Sequence, residues 1–93
     1  MEQLEPKGNR MKTFVVERDF GGPLAEADLA ATMERMGPCL EDYGLNWVHS
    51  YFSTDRTRMT CIYEGPDTES VRGAQRSAQA HFDRIWPAEI LKP

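Results

Sequence analysis

The run Asn46–Glu64, NWVHSYFSTDRTRMTCIYE, constrains the fold more than any other stretch of this chain. Asn46–Ser53 is aromatic and β-branched, Ser53–Thr57 is a polar turn cluster, and Arg58–Glu64 is again of strand type. The pattern predicts a β-hairpin. Strand side chains alternate between faces. With the turn centred near Asp55, Trp47 lies opposite Tyr63, His49 opposite Cys61, and Tyr51 opposite Met59. That register gathers an indole, an imidazole, a thiol and two phenols on one surface. Val48, Ser50 and Phe52 take the other.

The flanking sequence supplies the remaining elements. Lys12–Phe20, KTFVVERDF, predicts a first strand, with Phe14, Val16 and Phe20 on one face and Thr13, Val15, Glu17 and Asp19 on the other. Apolar residues on both faces near Val15–Val16 suggest a strand covered on both sides. Gly21–Gly22–Pro23 ends it. From about Ala25 to Asp42, Leu29, Met33, Met36 and Leu40 recur at helical spacing, and Gly44 is a natural stop. Pro38 falls inside this pattern and is expected to kink or divide the helix near Met36–Gly37. After Gly65–Pro66, Asp67 is a good N-cap for a second helix over about Thr68–Ala80, whose small-sided stripe is Val71, Ala74 and Ala78. Asp83–Leu91 reads as a last strand, and Pro87 argues that it lies at an edge.

The order is β-α-β-β-α-β. It predicts an α+β, ferredoxin-like fold: a four-stranded antiparallel sheet, the first strand beside the third, with both helices on one face. The other face would carry Trp47, His49, Tyr51, Cys61 and Tyr63, joined by Glu17 and Val15 from the neighbouring strand. So aromatic a surface should be covered. A second copy closing over it, to give a homodimeric α/β barrel, is the expected solution.

Composition narrows the functional classes. The 93 residues suffice for one domain, with residues 1–10 read as a leader and 11–93 as the folded unit. Net charge is −4, from 15 acids against 11 bases, with no basic stripe, so nucleic acid is not an expected partner. No apolar run suits a membrane span and the first residues lack a signal-peptide core, so the expected location is cytoplasmic. Cys39 and Cys61 belong to no CxxC pair and are expected as free thiols.

FVVERDFGGPL, WVHSYFS, CIYEGPDTESVR and the closing FDRIWPAEI, taken together, resemble a family of small stand-alone domains of unknown function. Its named representative is described as a nickel-binding protein with a dimeric ferredoxin-like fold. The resemblance runs from about Met11 to Leu91 and implies the same fold and dimer. It also implies a divalent metal, nickel among the candidates. Many relatives carry a histidine at the position of Ala74, and a glycine and a proline at those of Gln79 and His81. That departure weakens a shared metal site.

Several side chains are candidates for chemistry. His49 can ligate a metal or act as acid or base, or it can be a hydrogen-bonded histidine between sheets. Cys61 is a soft ligand or a small hydrophobe. Glu17, mid-strand among apolar neighbours, either orients His49 or forms an ion pair with Arg18, Arg58 or Arg84. Trp47, Tyr51, Tyr63, Val15 and Met59 line a small-molecule pocket or simply pack a dimer core. Arg72 and Arg76 read as a solvated helix face, and Cys39 as core filler.

Three readings follow. In the first, a homodimer binds a small molecule, or a metal through Glu17, His49 and Cys61. In the second, a cofactor-independent enzyme of monooxygenase, isomerase or cyclase type uses His49 as acid or base. Glu17 would orient it, and Tyr51 or Tyr63 would donate to an oxyanion. In the third, the dimer is structural or regulatory. No phosphate loop, GxSxG, HExxH or EF-hand pattern is present.

Overall fold

Alternation along KTFVVERD turns Phe14, Val16 and Arg18 to one side of the first strand, β1 (Lys12–Asp19), and all three are buried. The computed structural model describes residues 11–93, and the expected leader over residues 1–10 lies outside them. After β1 come α1 (Glu26–Asp42), β2 (Asn46–Phe52), β3 (Arg58–Gly65), α2 (Thr68–Ser77) and β4 (Arg84–Ala88). The sheet order is β2-β3-β1-β4 and every neighbouring pair is antiparallel. This is the expected ferredoxin-like α+β arrangement.

The core lies between the sheet and α2. Phe14, Val16, Cys61 and Tyr63 from the sheet meet Leu45, Val71 and Ala74. Full burial of a side chain such as Val71 contributes about 1.5–3 kcal/mol. Small residues let α2 lie close. At Gly73 a Cβ would stand 2.5 Å from the Tyr43 ring, which covers the helix and hydrogen-bonds Ser77 at 3.1 Å. Asp67 caps α2 as expected, accepting from the Ser70 amide at 2.8 Å.

α1 behaves differently. Glu26 and Asp28 sit in its first turn, where the helix dipole favours acids. It ends at Tyr43, and Gly44 turns the chain out at a φ of 69°. The helix is not divided at Pro38, contrary to expectation. The missing N–H costs one backbone bond, and the turns on both sides continue. Of its residues only Met36 is buried. α1 rests mainly on α2 and stands off the sheet.

Two boundaries fall short of expectation. α2 stops before Ala80 because the chain leaves the helix at Gln79, which has a φ of 55°. β4 ends at Ala88, opposite Thr13, because β1 offers almost nothing further to pair with. Pro87 does lie in an edge strand, where its missing donor breaks no ladder.

Candidate functional site

The register of the hairpin decides which side chains share a face. Trp47 pairs with Tyr63 as expected, but the next pair is His49 with Ile62. Val48 is an extra residue, a β-bulge. Beyond it Ser50 faces Cys61, Tyr51 faces Thr60, and Phe52 faces Met59. A one-residue slip exchanges the two faces of everything that follows. The single aromatic surface expected from sequence is therefore two surfaces. Trp47, Met59, Cys61 and Tyr63 lie on the helix side, while His49, Tyr51, Glu17 and Val15 lie on the open side.

On the helix side, the gap between α1 and the sheet is a cavity of about 610 Å³. Leu29, Met33, Met36 and Leu40, the apolar stripe of α1, form its roof. Trp47, Ser50, Phe52, Met59, Cys61 and Tyr63 form its floor. Phe20 and Leu24 close one side, and Gln79, Ala80 and His81 another. Phe20 packs edge-on to Phe52 at 6.5 Å and tilted against His81 at 6.3 Å. Trp47 Nε1 donates to Ser50 Oγ at 2.8 Å. Arg35 of α1 clamps the α2–β4 loop, donating to the Ala78 carbonyl at 2.7 Å.

Among the described residues, one charge reaches this cavity. Arg18 is 7% exposed and donates to Cys61 Sγ at 3.4 Å, the His81 carbonyl at 3.0 Å and the Tyr63 hydroxyl at 3.1 Å. Burial pushes the Tyr63 hydroxyl above its ordinary 10.0, against the pull of Arg18, so it remains a neutral phenol at physiological pH. Gln75, fully buried nearby, also draws the Tyr63 pKa down slightly, yet neither of its amide atoms reaches hydrogen-bond geometry. Sequence reasoning missed Arg18. The signal was present, since the alternation that turns Phe14 and Val16 inward turns Arg18 inward too.

The open face presents two rows across the strands. One runs His49, Ile62, Val15, Trp86, and the next Tyr51, Thr60, Glu17, Arg84. His49 packs edge-on to Tyr51 at 5.0 Å, and both are exposed. Glu17 does not meet His49. β3 lies between their strands, and neighbouring strands are about 4.8 Å apart. Glu17 is held instead by Trp86 Nε1 at 2.5 Å and Arg84 at 3.2 Å, the ion pair that was its alternative reading.

These placements bear on each expected site. Glu17, His49 and Cys61 do not converge, because Cys61 lies beneath the sheet while the other two lie on top. Of the expected small-molecule lining, Trp47, Tyr63 and Met59 do share a cavity, on the opposite face from Tyr51 and Val15. Of the two candidate oxyanion donors, Tyr51 shares the open face with His49 and Tyr63 lies on the opposite face. Cys39 and Cys61 are free thiols, and His81 is an exposed loop residue 3.2 Å from Asp83.

A family model described as "Nickel responsive protein SCO4226-like" matches residues 14–87, most of the chain. The chain belongs to the SCO4226-like family. Among solved structures, the crystal structure of SCO4226 from Streptomyces coelicolor A3(2) matches with a TM-score of 0.75 at 15% identity. The match covers 86% of this chain and 99% of that one. At that identity the likeness carries the fold alone. No curated protein matches. Among the described residues of this SCO4226-like chain, no three His, Cys, Asp or Glu side chains come together as a metal would require, so these residues of one copy do not by themselves fit a nickel ion. No helix among them is long and apolar enough to cross a membrane.

Proposed function

We propose that this chain is a small-ligand-binding protein that works as a homodimer, with its ligand site in the cavity beneath α1. One observation carries the reading: a helix with an apolar stripe stands off its own sheet and leaves about 610 Å³ between them. That size falls within the roughly 300–1,000 Å³ range of small-molecule sites. An apolar neutral fluorophore such as 1-aminoanthracene tests it. The expected result is saturable binding of one probe per chain, abolished by Met33→Trp, which fills the roof. Absence of saturable binding to the folded protein would reject the reading.

The dimer contact in this reading is the open sheet face, where Tyr51 is 64% exposed and Trp86 43% exposed. Its two free thiols suit a reducing, cytoplasmic setting. The enzyme reading is less well supported, because it needs His49 oriented by Glu17 and Glu17 is engaged with Arg84 and Trp86.

The family description favours a second reading, a response to nickel. A nickel site in this chain would need donors from a second copy as well as His49, the exposed imidazole of the open face. Equilibrium dialysis of untagged, metal-free protein is then expected to retain nickel, and His49→Ala to lose it. Retention unchanged in that variant would end the reading.

A further inference from the structure

The cavity beneath α1 is apolar over most of its wall, yet a guanidinium stands in it. A buried charge costs several kcal/mol unless it is paired and hydrogen-bonded. Arg18 is hydrogen-bonded but unpaired: among the described residues no carboxylate lies within ion-pair distance of it. Tyr63 is not its counter-charge, since burial keeps that phenol neutral. Of the five guanidinium N–H groups, three are taken, and one on each terminal nitrogen is left over.

We infer that the ligand of this cavity is an amphipathic monoanion, a carboxylate on an apolar body, with Arg18 as its counter-charge. The inference rests on the cavity being a ligand site. A carboxylate accepts N–H bonds from a guanidinium in a planar fork, and the bonds are strengthened by both charges. Cys61, Tyr63 and the His81 carbonyl already fix the guanidinium in place, so little side-chain freedom remains to be lost on binding. Among the described residues Arg18 is the only lysine or arginine lining the cavity, so it balances one negative charge and leaves a dianion such as phosphate half compensated. The apolar body lies against Met33, Met36 and Met59, whose flexible thioethers adapt to varied shapes.

Three probes of one chain length separate the possibilities by calorimetric titration of the full, untagged chain: decanoate, 1-decanol and decylammonium. The expected order of affinity is decanoate, then decanol, then decylammonium. Arg18→Met is expected to weaken decanoate by about 10- to 100-fold, the worth of hydrogen bonds to a charged group, and to leave decanol little changed. Decanol binding as tightly as decanoate would overturn the anion assignment and leave the cavity reading intact. No binding by any of the three would overturn both. A second measurement does not depend on the variant folding. The carboxyl carbon of bound, isotopically labelled decanoate should titrate below the free acid if it faces Arg18. It should titrate above the free acid if it lies in an apolar cavity alone, which would refute the assignment.

Discussion

Tyr63 sits between opposed influences. Removal from water disfavours its phenolate, and Cys61 beside it acts in the same direction, while the Arg18 guanidinium favours the charged form. Burial prevails, so the folded protein holds this proton more tightly than the unfolded chain does. The stability linked to it is complete below the unfolded value of 10.0 and is lost as the pH rises through the folded one. Titration by phenolate absorbance should therefore show one of the three tyrosines ionising later than the other two, and Tyr63→Phe should remove that late step. Three tyrosines titrating together would mean that Arg18 offsets burial in full. The same pair shows why residue-level reading of sequence failed here. Arg18 lies between a glutamate and an aspartate, both of which face outward. Its charge suggested the surface, and its position in the alternation put it inside.

At the scale of elements, the strands and helices were readable because each carries its own local cause. Asp67 is the clearest. Its carboxylate accepts from the Ser70 amide, and that bond holds its pKa below the ordinary 3.8. The bond contributes stability that is present above pH 3.8 and is lost as the pH falls through the folded value. Asp67→Ala should lower the melting temperature at neutral pH, and the gap from the parent should close as the solution is acidified. A gap that stays constant with pH would show that the charge plays no part. The hairpin had no such local marker for its irregularity. Val48 is a β-branched residue in an aromatic strand, with no glycine or proline beside it, so nothing in Asn46–Phe52 announces a bulge. β3 alone carried a clue. Met59, Cys61 and Tyr63 alternate with Thr60 and Glu64, and the less polar set belongs under the helices. Pairing β3 to an unbulged β2 overrode that clue and merged two faces into one.

For the whole molecule, the bulge has a consequence that neither strand shows alone: it gives the sheet two unlike faces. The inner face holds a cavity with a single cation among the described residues. The outer face carries His49, Tyr51, Ile62 and Trp86 toward solvent, with Glu17 neutralised by Arg84 at its centre. A chain this small buries a modest core, and pairing the outer face with its copy would bury apolar side chains, Tyr51 and Trp86 among them, that the monomer leaves exposed. The two faces should therefore be separable by mutation. Tyr51 is 64% exposed and its hydroxyl has no hydrogen-bond partner among the described residues, so Tyr51→Arg should change the stability of the single chain by less than about 0.5 kcal/mol. Across a two-fold contact the same change places a charge in a desolvated seam twice, once from each copy, and that should disrupt the dimer. Sedimentation velocity is expected to give a mass of two chains for the parent and one for the variant, while 1-aminoanthracene still saturates one site per chain in both. A parent that sediments as one chain would remove the dimer. A variant that loses the probe along with its partner would show that the cavity is completed by the second copy, and the division of labour between the faces would fall with it.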